Sequence, residues 1–182
     1  MLIKQIYIMV GISGAGKTTW IKNKTSETNL KFVNISPDIE RKRITGDISN
    51  QECSAKAFFN CFSQLRKAVM DDSVNLIFWD ATNLSTKPLN DIIKIINDSN
   101  INWTVKVACL EDSRDWELCY NRVETDLKNG ADRSRTINCF NDVSGLPLIQ
   151  DMSNRYVELV DNVIDDWCKR NNVERFNVYG EA

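Results

Sequence analysis

A chain of 182 residues is in the range of about 100–200 residues that one hydrophobic core commonly supports, so we expect a single domain over residues 1–182. Its hydrophobic share of 42% and charged share of 26% exclude a disordered or fibrous chain. The formal net charge of −2 excludes a general positive field, so any contact with nucleic acid is expected to be local.

The first predicted element is an apolar strand, Lys4 to Val10, which runs directly into the segment GISGAGKTTW. This segment matches G-x-x-x-x-G-K-[ST] in full, the pattern of a phosphate-binding loop (P-loop), and a helical stretch follows it. Small residues let backbone N–H groups curl around a phosphate, and the helix presents its positive dipole end. The pattern predicts binding of ATP with Mg²⁺ through Gly11, Ser13, Gly14, Ala15, Gly16, Lys17, Thr18 and Thr19.

Three side chains of the P-loop have separate expected roles. The Lys17 ammonium is expected to reach the β- and γ-phosphate oxygens, and the Thr18 hydroxyl to enter the magnesium shell. Thr19 is expected to support the α-phosphate. Lys17 is therefore a candidate catalytic residue, and Thr18 a candidate metal ligand.

The second predicted strand, Phe32 to Ile35, leads into a helix start in which Asp38 follows a proline. In a parallel sheet this position lies at the same edge as the P-loop. A carboxylate here can accept the proton of an attacking hydroxyl, and Arg41, three residues later, can hold an anionic acceptor. Two alternatives remain open: Asp38 as a helix cap, and Arg41 as a solvated residue among Glu40, Lys42 and Arg43.

A helix is predicted from about Gln51, and it carries three phenylalanines. Phe58, Phe59 and Phe62 recur at helical spacing, which favours packing in the core. The alternative is that one of these rings stacks on the terminal base of a bound nucleic acid. The third predicted strand, Val74 to Trp79, ends at Asp80. We assign this carboxylate to the magnesium shell, through water, and keep capping of the next turn as the alternative.

The remaining strands and helices continue the same alternation. A helix from Thr86 carries one apolar stripe, a strand spans Trp103 to Leu110, and a further helix near Arg114 is expected to be capped by Asp112. Strands that alternate with helices predict an α/β fold, a P-loop NTPase-type parallel sheet flanked by helices. The stripe consists of Leu89, Ile92, Ile93 and Ile96.

Residues 128–136, KNGADRSRT, predict an exposed, mobile lid that bears arginine. Among the arginines that flank it, Arg122, Arg133 and Arg135, one or two are expected to close over the transferring phosphoryl group. The alternative is a solvated loop in which Asp132 pairs with Arg133. A final helix over about residues 151–170 has an apolar face that either closes the core, which we favour, or binds another subunit, so a homo-oligomer stays open.

The chain has no histidine, and its six cysteines contain no C-x-x-C pair. This composition excludes a zinc site of the usual kind and every mechanism built on imidazole, so a general base must be a carboxylate or, less favoured, a lysine or tyrosine. The apolar run before the P-loop is too short to span a bilayer. We therefore expect a cytoplasmic protein with reduced thiols and no membrane partner.

Three segments together resemble the polynucleotide 5′-hydroxyl kinase family of the T-even phage type, over roughly residues 1–146. They are GISGAGKTTW with its tryptophan, NISPDIER, and WDATNL. The resemblance implies that Asp38, 21 positions after Lys17, is the general base toward a 5′-hydroxyl. It implies that Arg41 binds the phosphate adjoining the acceptor nucleoside. The family's lid arginine does not align uniquely, which leaves both Arg133 and Arg135 as candidates.

The sequence thus predicts an ATP-dependent kinase of the 5′-hydroxyl end of DNA or RNA. The phage enzymes also carry a phosphatase with a D-x-D-x-T motif, which this sequence lacks, so we expect no 3′-phosphatase activity. Two alternatives remain: a P-loop kinase of a small metabolite or nucleoside, which the acidic charge favours slightly, and a nucleotide-binding switch without transfer activity.

Overall fold

The computed structural model describes residues 4–134 and 138–180, and within them it has five strands and seven α-helices. The strands are β1 (Gln5–Val10), β2 (Phe32–Ile35), β3 (Leu76–Trp79), β4 (Thr104–Leu110) and β5 (Glu174–Val178). The helices are α1 (Lys17–Ser26), α2 (Pro37–Thr45), α3 (Ser54–Met70), α4 (Thr86–Asp98), α5 (Trp116–Lys128), α6 (Leu148–Asn162) and α7 (Ile164–Asn171). A short 3₁₀ turn, Glu111–Arg114, joins β4 to α5.

The five strands form one parallel sheet in the order β2-β3-β1-β4-β5. Its middle strands are continuous apolar runs, as expected where a parallel sheet is covered on both faces. All four residues of β3 are buried, and five of the six in β1. The predicted α/β fold with a parallel sheet flanked by helices is confirmed.

The register of the sheet brings three loops to one edge. Trp79 at the end of β3 pairs with Ile8 of β1 on one side and with Ile35 of β2 on the other. The chain segments that follow these strands therefore leave the sheet side by side, with the β3 segment in the middle. This edge, at the carboxyl ends of the strands, is where open α/β sheets bind their ligands.

The helices bury the faces that their sequence periodicity predicts. In α4 the stripe Leu89, Ile92, Ile93 and Ile96 is buried in the core. On the final helical segment the predicted apolar face is also buried in the core through Tyr156, Leu159, Val160 and Trp167, while Val163 is half-buried. This segment thus closes the core of its own chain.

Three local predictions need correction. The final helix is two helices, α6 and α7, separated at Val163, whose φ of −128° is not helical. The cap of α5 is Asp115, which accepts a hydrogen bond from the Leu118 N–H, whereas Asp112 accepts one from Arg122. β5 was not predicted, because its sequence ERFNV is polar and it pairs with β4 at one edge of the sheet.

The six cysteines all lie in described segments and are free thiols. Four of them, Cys61, Cys109, Cys119 and Cys168, are buried. Within residues 4–134 and 138–180, no helix combines the length and apolar character that crossing a bilayer requires.

Candidate active site

The P-loop joins β1 to α1 in a conformation that its glycines make accessible. φ is +83° at Gly14 and +93° at Gly16, a region that residues with a Cβ atom rarely adopt. α1 begins at Lys17, so the first N–H groups of that helix face the space enclosed by the loop. This is the geometry of an anion-binding site at a helix N-terminus.

The base of the P-loop is fixed by two residues far along the chain. The Gly11 N–H donates to the Thr82 carbonyl at 3.0 Å, and the Ile12 N–H donates to Ser113 Oγ at 3.1 Å. Ser113 is fully buried, and its carbonyl accepts from Ser153 Oγ at 2.7 Å. Ser113 could not be predicted, since a serine in the polar run EDSRD carries no signal of burial.

Lys17 lies folded against the P-loop. Its ammonium donates to the carbonyls of Gly11 at 2.9 Å and Ile12 at 2.8 Å. Burial lowers the pKa of Lys17, and the nearby carboxylates of Asp80 and Asp38 oppose that shift. The charge of Lys17 is therefore favoured by both predicted acidic residues.

Asp80 directly follows β3, between the P-loop strand and the strand that leads to α2. The side chain is half-buried and lines the same cleft as Lys17. Burial raises the pKa of Asp80, and the Lys17 ammonium counteracts the rise. A partly desolvated carboxylate within electrostatic range of a lysine can contribute to a site for a divalent cation and phosphate.

Asn83 holds the segment after Asp80 against the P-loop strand. Its side-chain amide donates to the Met9 carbonyl at 2.6 Å and accepts from Trp79 Nε1 at 3.2 Å. Asn83 is buried and has a φ of +52°, a conformation that asparagine tolerates better than most residues. Asn83 belongs to the motif WDATNL, but its positioning role was not predicted.

Asp38 and Arg41 form an ion pair on the first turn of α2. The α-helix begins at Pro37 with Ser36 as its N-cap, so Asp38 is inside the helix and does not occupy the cap position. Arg41 is only 8% exposed, and its Nε donates to the Ile48 carbonyl at 3.1 Å. Arg41 is therefore not the solvated residue of the alternative interpretation.

Arginines also line the cleft from the α5 side. Arg133 pairs with Asp126, its Nη2 lying 2.6 Å from the carboxylate. Arg122 contacts the P-loop itself, with Nη1 at 3.3 Å from the Gly14 carbonyl and 2.6 Å from Asp112. Arg135, the second candidate in the predicted lid, lies outside the described residues. The lid segment meets α2 through a contact of 2.6 Å between Lys42 and Asp132.

One cleft of about 1260 Å³ brings together most of the predicted site residues. Pockets for small ligands typically measure about 300–1,000 Å³, so this cleft is large enough for a nucleotide and a second substrate. Its lining includes Ser13, Gly14, Ala15, Gly16, Lys17, Thr18, Thr19, Asp38, Arg41, Asp80 and Arg133. Gly11 lies beneath the loop, packed against Leu110 and Ser113.

The residues present fit Mg²⁺ and a nucleotide. Over the described ranges there is no group of three or more cysteine, aspartate or glutamate side chains that forms a complete metal cage. Mg²⁺ does not need such a cage, because it usually keeps several waters and binds one or two protein ligands plus substrate phosphates. Thr18 and Asp80, both on the cleft, supply the oxygen atoms for that arrangement.

A family profile decides the classification of the chain. The profile of AAA_33, described as an AAA domain, matches residues 6–138. The chain belongs to the AAA_33 family. The matched residues of this AAA_33 domain include the P-loop, Asp38, Arg41 and Asp80, and the P-loop of the family implies nucleotide binding.

Three solved structures share the fold of this AAA_33 domain. The PezAT toxin–antitoxin system of Streptococcus pneumoniae matches with a TM-score of 0.61 and 16% identity, covering 98% of this chain and 69% of that one. A fungal RNA kinase matches with a TM-score of 0.55 and 16% identity, covering 100% and 77%. Shikimate kinase from Acinetobacter baumannii matches with a TM-score of 0.52 and 16% identity, covering 99% and 85%.

A chain of the Pnkp1/Rnl/Hen1 complex is 23% identical over 59% of this chain, with a TM-score of 0.46. This AAA_33 domain spans about a third of that relative, 36% of its length. No curated protein sequence matches the chain. The fold is that of P-loop kinases. At 16% sequence identity, the three solved structures show the fold and nothing further.

Proposed function

We propose that this AAA_33 domain is an ATP-dependent polynucleotide 5′-hydroxyl kinase, acting on DNA or RNA ends. The observation that carries the proposal is the Asp38–Arg41 pair, which lies in the same cleft as the P-loop, with Asp80 at the end of the strand between them. This arrangement separates a phosphate-binding side from an acceptor side. The three segments that resemble polynucleotide 5′-hydroxyl kinases all contribute residues to the lining of this cleft.

The donor side holds the triphosphate of ATP. The P-loop N–H groups and Lys17 bind its phosphates, and Thr18 and Asp80 hold Mg²⁺, Asp80 through water. When bound, Mg²⁺ offsets the charge that develops on the transferring phosphoryl group. Lys17 must leave the carbonyls of Gly11 and Ile12 to reach the phosphates, a movement of a flexible side chain.

The acceptor side supplies the base. The 5′-hydroxyl oxygen forms a bond to the γ-phosphorus while the bond from that phosphorus to the β–γ bridging oxygen breaks, and ADP leaves. The proton of the hydroxyl passes to the Asp38 carboxylate. Catalysis then rests on the position of the two substrates and on positive charge around the transferring group, without a covalent enzyme intermediate.

Arg41 is suited to hold the phosphate that follows the acceptor nucleoside. Its Nε and Nη2 are engaged by Ile48 and Asp38, whereas its Nη1 donors have no hydrogen bond within residues 4–134 and 138–180. An arginine that is already fixed loses little freedom when it binds a phosphate. Arg133, 40% exposed and held by Asp126, is the described candidate for the lid arginine.

A kinase of a small metabolite or nucleoside is the second candidate. The net charge of −2 favours it, because an acidic protein does not attract a long polyanion. The fold is compatible with both, since a fungal RNA kinase and a shikimate kinase share it. A nucleotide-dependent switch is the third candidate, and the Asp38–Arg41 pair speaks against it, because such a switch needs no proton acceptor in its cleft.

A panel of acceptors tests the proposal. The purified protein is incubated with γ-labelled ATP and Mg²⁺ together with 5′-hydroxyl DNA, 5′-hydroxyl RNA, free nucleosides or shikimate. We expect label on the 5′-hydroxyl strands alone, with none on the same strands after prior 5′-phosphorylation. Label on a nucleoside or small alcohol alone would support the second candidate, and ATP turnover that no acceptor changes would support the third. A 3′-phosphorylated strand is expected to keep its phosphate.

A further inference from the structure

The acceptor side of the cleft has an apolar patch beside the proposed base. It consists of Ile39, Ile48 and Phe58, which all line the cleft and which we call the apolar wall. Ile39 is 54% exposed, and Phe58 and Ile48 are half-buried. Ile39 directly follows Asp38 in α2, so the wall begins next to the carboxylate. Exposed apolar surface at this place contrasts with the polar phosphate side.

The three phenylalanines of α3 occupy different environments. Phe62 packs on Trp79 with ring centroids 4.9 Å apart, so it belongs to the core. Phe59 is 70% exposed and does not line the cleft. Phe58 packs partly against the core and also lines the cleft. The prediction that these rings pack in the core is therefore confirmed for Phe62 and wrong for Phe59. Phe58 packs against the core on one side and lines the cleft on the other.

Hydrogen bonds join the helix that carries Phe58 to the helix that carries Asp38. Glu40 of α2 is 4% exposed, and its carboxylate accepts from Asn60 at 3.0 Å and Gln64 at 2.7 Å, both on α3. Asn60 is two residues from Phe58, and Glu40 is two residues from Asp38. Hydrogen bonds between α2 and α3 therefore hold Phe58 near the reactive pair, and Ile48 lies in the segment that joins the two helices.

We infer that the apolar wall binds the nucleobase at the 5′ end of the acceptor strand, packed against Phe58; this inference rests on the proposed function. Every nucleobase has an apolar π-face, so an aromatic contact holds the terminal nucleotide without selecting its sequence. A preformed surface of this kind loses little entropy on binding. A small polyol has no comparable apolar face, so the wall adds to the choice of a nucleic-acid end over such an acceptor.

Base–aromatic stacking is worth about 5- to 150-fold in binding per base. The wild type should therefore phosphorylate a strand with a normal 5′-terminal base with a higher kcat/KM than the same strand with an abasic 5′-terminal nucleotide. Phe58→Ala and Phe58→Leu should lose most of that preference. Phe58→Leu removes the aromatic ring but keeps apolar volume at this position of α3. It therefore still tests the inference if Phe58→Ala destabilises the fold.

The matched control is Phe59→Ala, which removes the neighbouring ring outside the cleft and should keep the full preference for the base. Acceptor-independent ATP turnover reports on the donor side, and in Phe59→Ala it should equal that of the wild type. A Phe58 variant that keeps the wild-type ratio of normal to abasic ends would overturn the inference while leaving the proposed kinase intact. A wild type that labels no strand would overturn the proposed function and the inference together.

Discussion

A Cβ atom on Gly14 would lie 2.3 Å from the carbonyl oxygen of Cys119 in α5. No real Cβ contact is that short, so the P-loop and α5 approach each other as closely as glycine permits. The φ of +83° at Gly14 adds a second reason for glycine at this position. The shape of the phosphate site thus depends on a helix more than 100 residues further along the chain.

Gly14→Ala should deform the P-loop and weaken ATP binding at least about tenfold, since backbone must move to relieve the contact. Gly130→Ala is the matched control: Gly130 has a φ of +79°, and a Cβ there would meet nothing within 4 Å. The control should lose only about 1–2 kcal/mol of stability from strain and keep its ATP affinity. ATP affinity by calorimetry checks both, and wild-type affinity in Gly14→Ala would contradict this view of the loop.

Glu40→Gln should lower the free energy of unfolding by about 1–3 kcal/mol at neutral pH, because one charged acceptor of several hydrogen bonds is lost. Hydrogen bonds from Arg43 are the main cause that lowers the pKa of Glu40. A carboxyl group whose pKa is lowered in the folded state stabilises the fold at pH values above its ordinary pKa of 4.5. This stabilisation is lost as the pH falls through the pKa of the folded state.

The stability difference between the wild type and Glu40→Gln should therefore shrink as the pH falls below 4.5. Urea denaturation at several pH values measures it. The double variant Glu40→Gln with Gln64→Glu moves the carboxylate across the interface and should recover part of the stability. A difference that stays constant with pH would show that the charge of Glu40 is not what joins α2 to α3.

Asp80→Asn should separate activity from stability. Burial raises the pKa of Asp80, so its ionised form is disfavoured in the fold and stability falls as the pH rises through that pKa. The neutral Asn should leave the melting temperature at neutral pH equal or higher, while phosphoryl transfer falls about 10²–10³-fold. Asp98→Asn, an exposed change at the end of α4, should alter neither. A melting temperature of Asp80→Asn below that of the wild type would contradict the view that the ionised Asp80 carboxylate lowers stability.

Local sequence patterns were sufficient for the parts of the site that follow strands. An apolar run that ends in a glycine loop or an acidic residue indicates both a strand and the residues that follow it at the sheet edge. The P-loop and the positions of Asp38 and Asp80 could therefore be predicted. The continuous apolar spacing across Val163 hid the break between α6 and α7. β5 was missed because it is short, polar and at the sheet edge.

Contacts between distant segments could not be read from the sequence. Glu40 stands in the charged run ERKR and looks solvated, yet its partners on α3 bury it. Ser113 and Asn83 are polar residues whose roles depend on hydrogen bonds to the P-loop strand and loop, 101 and 74 residues away. Helical periodicity predicted one environment for Phe58, Phe59 and Phe62. Only the fold shows that Phe58 lines the cleft, Phe59 lies on the surface and Phe62 packs in the core.

The most direct test compares Asp38→Asn with the wild type in two measurements on the same samples, ATP affinity and the rate of label transfer to a 5′-hydroxyl strand. In the proposed mechanism ATP binds on the P-loop side and Asp38 acts on the acceptor side. ATP affinity should therefore stay within about twofold while transfer falls at least about 10²-fold. Transfer at the wild-type rate by Asp38→Asn would contradict the claim that this carboxylate receives the proton of the 5′-hydroxyl.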